Sequence, residues 1–509
     1  MNRKVGVLLS YIQMIFEVAS TLLLTPFIIS SLGNAEYGVY KLIAALTSYL
    51  LLLDLGMGNS VVRYIAKFKE TNDIESSRKY MGVSMVFYTI VSIVVLLLGA
   101  VLVVNFENIF ATGLTQAEIS LSKKLLVLTV INASVTLGTS IYYNVINAYS
   151  RFALTKGLPI IQIIIRIIVT AAALWLGYKS IAIVTINLVL TILIRGYYAF
   201  YVLCVMKLRP RLRGANVTFI KDIISYSVFI LLQMIATQIN TQADQVLLGM
   251  FVASSSVIIG VYGVGAQLVQ YFQSIGHAME GVLMPGVVKL VESKATSKDM
   301  ENEMVRIGRY AIIILGFIFV GFLVNGRTFI KLWAGTEYKQ GYYVALMLMF
   351  AHMLIMTESI GTKILWAMNK HQLLSVVKFL IVVLNVGLTV VLIKWNPLIG
   401  ATIGTVISLM LGDVLSMNII FKRNIGISLK AYYIGLFRGI LPCLVLSALA
   451  GFGVLMMPIS GVLGLVVNIV TMTAVYAVTM WGFGMNKQEK NMARSLLGKL
   501  TNRQKKGCS

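Results

Sequence analysis

Long unbroken apolar runs recur along this chain and leave little room for anything else. Fourteen stretches, near 7–30, 39–62, 80–104, 124–147, 155–177, 180–206, 222–250, 256–288, 307–331, 341–366, 372–394, 397–421, 432–456 and 459–484, have the length of a bilayer-crossing helix. About 20 apolar residues suffice for one crossing. In lipid only helices and closed barrels satisfy their own backbone polar groups. These runs are continuous rather than alternating with period two, so a barrel is excluded. What remains is short connections and two tails. The longest connection on the side opposite the termini, about 105–123, is too small to fold as a domain. An extramembrane catalytic module therefore has no place. The 509 residues are 58% apolar and 12% charged, about half the charged share of a soluble protein. A soluble multidomain enzyme and a disordered chain are both excluded. The expected fold is an all-α membrane protein with fourteen transmembrane helices.

The formal net charge of +24 would suggest nucleic acid in a soluble protein. Here it follows the loops. With the N-terminus in the cytoplasm, 30 of the 43 Lys and Arg fall in cytoplasmic segments and tails and 8 in outer segments, Lys41 among the latter. Both termini are expected in the cytoplasm, in the cytoplasmic membrane, with no nucleic-acid partner. The first run contains Gln13 and Glu17 and no small-residue cleavage site, so it reads as a retained helix. Cys204, Cys443 and Cys508 form no disulfide framework and no metal-binding pair.

The chain also repeats itself. Ser10-Tyr11 and Ser225-Tyr226 open the first and seventh runs. Gly38-Val39-Tyr40 matches Gly260-Val261-Tyr262, and Gly138-Thr139 matches Gly361-Thr362. The matches fall in order at nearly constant spacing. The organisation expected is an N-terminal six-helix lobe over 1–210 and a pseudo-symmetric lobe over 218–424. Two further helices over 430–485 and a basic cytoplasmic tail over 486–509 complete it. Lobes of like orientation place a site between them.

Ionisable residues inside the runs carry the functional information, because lipid penalises them unless they are paired or face water. They are Glu17, Asp54, Arg166, Arg195, Asp244, Glu280, Glu358, Lys363, Lys378, Asp413 and Arg438. Asp54, Asp413, Lys378 and Arg438 lie near run ends, where long side chains reach the interface. Glu17 and Arg166 sit near mid-run. Gln13, Glu17 and Thr21 share one helical spacing; so do Gln162, Arg166 and Thr170, and Asn187, Thr191 and Arg195. Such spacing puts each set on one face. Gln267, Gln270, Ser274 and His277 form a matching stripe in the eighth run, and the seventh is polar from Gln233 through Gln238 and Asp244 to Gln245. The cavity-lining candidates are thus Glu17, Gln162, Arg166, Asn187, Arg195, Gln238, Asp244, Gln270, His277, Glu358 and Lys363. Interhelical hydrogen bonding is the competing reading. No Walker A, HExxH or GxSxG signature occurs in a fitting context, so no catalytic residue, metal site or cofactor is expected.

Two further segments carry a resemblance. Ser31-Leu-Gly-Asn-Ala-Glu-Tyr-Gly-Val-Tyr40, followed by Leu53-Asp-Leu-Gly-Met-Gly-Asn59 with Arg63, resembles the polysaccharide-biosynthesis (O-antigen/capsule) flippases. Asp244-Gln-Val-Leu-Leu-Gly249 with Gly260-Val-Tyr262 resembles the wider multidrug/oligosaccharidyl-lipid/polysaccharide exporter superfamily. The resemblance implies two six-helix lobes around a cavity and movement of an undecaprenyl-pyrophosphate-linked oligosaccharide between leaflets by alternating access. It implies membrane lipid and that lipid-linked glycan as partners, and leaves room for a coupling cation and a polysaccharide polymerase. Arg166 and Arg195 would hold pyrophosphate, since guanidinium matches phosphate oxygens bidentately. The alternatives are a cation-coupled drug exporter of the same architecture, which calls for an acid-dominated cavity, and a membrane-embedded glycosyltransferase or polymerase, which calls for catalytic carboxylates or a large outer loop.

Overall fold

The computed structural model describes residues 3–212, 217–293, 295–368 and 370–495. All regular elements among them are helical. They are α1 (Arg3–Leu32), α2 (Asn34–Leu50), α3 (Met57–Glu70), α4 (Ile74–Phe110), α5 (Gln116–Gly138), α6 (Ser140–Ala148) and α7 (Leu158–Trp175). There follow α8 (Ser180–Phe200), α9 (Val217–Phe251), α10 (Ser256–Glu292), α11 (Ser297–Ala311), α12 (Phe317–Trp333), α13 (Gly341–Thr357) and α14 (Ser359–Ala367). The last are α15 (His371–Ile393), α16 (Pro397–Leu409), α17 (Met417–Asn424), α18 (Leu429–Phe437), α19 (Ile440–Leu455) and α20 (Gly461–Thr479).

Ten helical spans among the described residues are long and apolar enough to cross a membrane, and twelve when the bent pairs α13–α14 and α18–α19 each count once. The protein is a multi-pass membrane protein. The expected runs 222–250 and 256–288 fall on α9 and α10, where the side chains of 217–233 and 279–289 lie outside the described residues. α4 shows how sequence becomes a lipid-facing surface. Val86, Ile90, Ile93, Leu97, Val101 and Val104 are exposed at helical spacing, while Tyr80, Tyr88, Val91, Val95 and Phe106 on the other face are buried. A helix apolar on all sides needs lipid on one face and protein on the other.

Helix starts obey local chemistry. The Asp73 carboxylate accepts the Ser76 N–H at 2.9 Å, and that bond holds its carboxyl below the usual range. Thr115 with Glu118 and Thr296 with Asp299 form reciprocal capping boxes at α5 and α11, satisfying amides that a helix start leaves open.

The chain divides into two compact units, Met1–Gln267 with His371–Gly412, and Leu268–Lys370 with Asp413–Ser509. In the first, α4 packs on α5, α5 on α8 and α2, α1 on α7, α3 on α6, and α9 on both α15 and α2. In the second, α11 packs on α18, and α12 packs on α13, α19 and α20. Glycines permit the closest approaches. A Cβ at Gly38 would overlap the Ser256 carbonyl, joining α2 to the start of α10, and one at Gly361 would press on Met304 and Phe421 at 2.7 Å.

Three spans are broken in ways that place polar groups. Between α2 and α3 a 3-10 turn, Leu51–Asp54, leads into left-handed Leu55 (φ 54°) and Gly56 (φ 72°). Gly tolerates this conformation and Leu does so at a cost. Between α5 and α6 the break is Thr139. Between α13 and α14 it is Glu358, with a 42° bend. The fourth span of each expected lobe is therefore interrupted beside a member of the Gly-Thr repeat.

Candidate polar sites within the membrane

Among the described residues four polar assemblies lie inside the spans, three in the first unit and one in the second. The first contains Arg166 on α7. α7 packs on α1, and the Arg166 Nη2 reaches Ser20 Oγ at 3.5 Å, a long contact. Ser20 Oγ itself donates to the Glu17 carbonyl at 2.9 Å. The Glu17 side chain is exposed. Among the described residues no ion pair joins it to Arg166. Gln162 shares the half-buried face of Arg166, whereas Thr170, on the same stripe, is buried.

The second assembly surrounds Arg195 on α8. Its guanidinium lies over the Tyr143 ring, 5.7 Å from the centroid. Nη1 is buried and, among the described residues, has no hydrogen-bond partner. Asp54 is near enough to interact electrostatically, but among the described residues it makes no ion pair with Arg195. Asp54 instead accepts the Tyr88 hydroxyl at 3.0 Å, and Tyr88 Oη accepts from Asn144 Nδ2 at 3.1 Å. The amides of Gly58 and Gly56 also face the carboxylate, so Asp54 caps the restart at α3. A Cβ at Gly58 would crowd Asn144 Nδ2 at 3.2 Å. The Leu53-to-Asn59 motif thus encodes a broken helix: a carboxylate to cap it, a glycine to turn it, and a glycine to let α6 approach. Asp54, read from sequence as reaching for the interface, is a fixed part of a polar network.

The third assembly centres on Asp244, 2% exposed. Its carboxylate accepts the hydroxyls of Tyr262, of Thr405 at 2.6 Å and of Thr389 at 3.3 Å. Asn385 Oδ1 accepts from Thr389 and Thr405 at 3.1 Å, and Asn385 Nδ2 donates to Asn240 at 2.8 Å. Four helices, α9, α10, α15 and α16, meet at this node. Gln238 on the same helix donates to Ser48 Oγ of α2 at 2.5 Å. Six residues is not a whole number of helical turns, so Gln238 and Asp244 serve different faces. Nearby, Lys41 Nζ donates to Gln267 Oε1 at 2.5 Å and lies 5.4 Å from the Tyr37 ring centroid. Lys41 lies on α2, which begins at Asn34.

The second unit holds Gln270 and His277, both exposed, the half-buried Lys363, and buried Glu358. Glu358 Oε1 accepts the Tyr433 hydroxyl at 2.5 Å and Asn418 Nδ2 at 2.9 Å. Asp413, also read as reaching the interface, is buried beside it. The side chains of Glu280 and His371 lie outside the described residues. Asn187 is half-buried on α8, where its carbonyl accepts the Thr191 hydroxyl at 2.8 Å. Sequence reading missed Tyr88, Asn144, Thr389, Thr405, Tyr433 and Asn418. Thr389 and Thr405 are ordinary residues in apolar helices, and only the pairing of distant spans gives them meaning.

The family model described as polysaccharide biosynthesis protein matches residues 4–291, more than half of the chain. The chain belongs to the polysaccharide biosynthesis protein family. Its fold is shared with solved transporters. Lipid II flippase MurJ in an inward closed conformation superposes with a TM-score of 0.69 at 14% identity, covering 93% of this chain and 97% of that one. An inward-facing multidrug resistance MATE family transporter of the MOP superfamily gives 0.62 at 12% identity, covering 81% and 94%. A MOP superfamily transporter from Pyrococcus furiosus gives 0.55 at 12% identity, covering 84% and 96%. Comparison with curated proteins finds no match. The chain thus shares its fold with these proteins.

Proposed function

We propose that the protein is a flippase that moves an undecaprenyl-pyrophosphate-linked oligosaccharide from the inner to the outer leaflet of the cytoplasmic membrane by alternating access, for cell-surface polysaccharide export. Family membership and the likeness to a lipid II flippase support this reading. The observation that carries it is the state of the two arginines. Among the described residues the Arg166 guanidinium hydrogen-bonds a serine hydroxyl at long range, and Arg195 Nη1 is buried without a hydrogen-bond partner. A guanidinium held in a membrane at such cost with donors to spare is suited to an anionic group that comes and goes. Pyrophosphate supplies oxygens in matching geometry. The polyprenyl tail stays in lipid while the head crosses. With the cell interior negative, outward movement of the anion is favoured by roughly 2.3 kcal/mol per charge per 100 mV. Gln162 and Asn187, on the same two helices, offer amides to sugar hydroxyls.

A cation-coupled drug exporter is the second reading, favoured by the likeness to a multidrug transporter. The decisive experiment is complementation of a flippase-null strain with a defined lipid-linked glycan. Restored surface polysaccharide supports the flippase. Drug resistance conferred without restored polysaccharide supports the exporter.

A further inference from the structure

The second unit contains a carboxylate that the transport reading does not use. Glu358 is 2% exposed and sits at the 42° bend between α13 and α14. One of its oxygens is well supplied: Oε1 accepts from Tyr433 of α18 and Asn418 of α17. The other, Oε2, is buried and has no hydrogen-bond partner among the described residues, and neither has Asn418 Oδ1. Asn418 Nδ2 is shared among Glu358, the Val414 carbonyl at 2.9 Å and the Tyr433 hydroxyl at 2.7 Å. The cluster is therefore short of donors on the Oε2 side.

Among the described residues the strongest electrostatic partners of this carboxylate are neutral or acidic. They are Tyr433, Asn418 and a second acid, Asp413, and Tyr432 also lies within reach of its charge. Tyr432 donates its hydroxyl to the Thr357 carbonyl at 2.9 Å. From α11, Gly308 approaches that carbonyl, and the neighbouring Arg309 spends its donors on Glu489 and three backbone carbonyls. Lys363 and His352 lie on the same bent span. An ionised, unpaired carboxylate in this setting costs several kcal/mol. A proton on Oε2 removes that cost and turns the orphaned acceptor into a donor. A hard metal cation calls for about six oxygen ligands, and the orphaned oxygens here are Glu358 Oε2 and Asn418 Oδ1.

We infer that Glu358 is a proton-binding site at the hinge of the α13–α14 span, occupied while the span is bent and emptied when the span straightens. Its donors belong to α17 and α18, whereas Glu358 belongs to the hinge itself. Straightening carries the carboxyl away from Tyr433 and Asn418 towards water, where the ionised form is solvated. Proton binding and bend angle are then linked by one side chain. The inference goes beyond the substrate reading and holds for whatever the transporter carries.

The test uses the purified full chain in lipid nanodiscs, without substrate. Infrared spectroscopy should show the carbonyl stretch of a protonated carboxylic acid at neutral pH, shifting on deuteration. The band should be absent from Glu358→Gln, retained in Asp413→Asn, and moved in frequency by Tyr433→Phe, which removes one donor without touching the acid. Spin labels at exposed positions 343 and 366, across the bend, should report a distance that changes as the band titrates away, and a fixed distance in Glu358→Gln. Three results would overturn the inference: a spectrum in which no acid band disappears in Glu358→Gln, a band removed by adding sodium at constant pH, or a label distance indifferent to pH while the band titrates.

Discussion

The buried pair of Arg309 and Glu489 offers the sharpest energetic prediction. Arg309 Nε and Nη2 meet Glu489 Oε1 and Oε2 at 2.6 and 3.1 Å. Nη1 donates to the carbonyls of Gly435 at 3.0 Å and Arg438 at 2.7 Å, and Nη2 to that of Gly484 at 2.9 Å. Both side chains are buried. One guanidinium thereby fastens α11, the α18–α19 break and the segment after α20. Arg309→Met leaves Glu489 buried without a counter-charge and three carbonyls without donors. Breaking a buried pair from one side costs about 3–5 kcal/mol. Glu489→Gln leaves the cation unpaired but keeps the three carbonyl bonds, so about 2–3 kcal/mol is expected, the worth of hydrogen bonds to a charged group. The double variant buries no lone charge. It should lose less than the two single losses together, with a coupling of about 2 kcal/mol. Reversible unfolding in mixed micelles, followed by tryptophan fluorescence, measures the cycle. Strict additivity, or a single loss below about 1 kcal/mol for Arg309→Met, would mean that the two groups are not coupled as a buried pair.

Other outcomes follow from particular contacts. Gly38→Val drives a side chain into the Ser256 carbonyl and should destabilise by at least about 1–3 kcal/mol, seen as a lower melting temperature, whereas Gly196→Ala, with open space around it, should be neutral. Asp54→Ala removes the cap of α3 and should cost about 1 kcal/mol, with Asp54→Asn retaining most of it in the same melting assay. Cysteines at 162 and 187 should react with water-soluble thiol reagents, and a cysteine at 170 should not, because Thr170 is buried. Reporter fusions at residue 115 should read outside and at 214 and 509 inside.

The spans were legible because lipid demands long apolar runs, and runs such as 180–206 reappear almost unchanged as α8 with its π-helical continuation Tyr201–Val205. Breaks were not legible. The residues of α3 continue α2's span to Glu70, so Asp54, placed by run length near an interface, lies well inside a longer helix path. The polar stretch from Gln238 to Asp244 was visible as polar, but its division between Ser48 and the Thr389–Thr405 node depends on which helices pack against α9. Nothing local distinguishes a stripe facing water from one facing a neighbour. Arg309 and Glu489 are too far apart in the chain for any pattern to join them.

The proposed function assigns intramembrane arginines with unspent donors the binding of a lipid-linked pyrophosphate during translocation. Reconstituted vesicles loaded with a fluorescent polyprenyl-pyrophosphate oligosaccharide measure this directly, by reagent access to the head group over time. Wild-type protein should flip the lipid. The Arg166→Gln/Arg195→Gln double variant should insert and melt normally yet flip at least about tenfold more slowly, the loss expected from a charged hydrogen bond. Arg166→Lys should be intermediate because it keeps charge and loses the fork. Flipping by the double variant at the wild-type rate, or no flipping by wild type, would contradict the account.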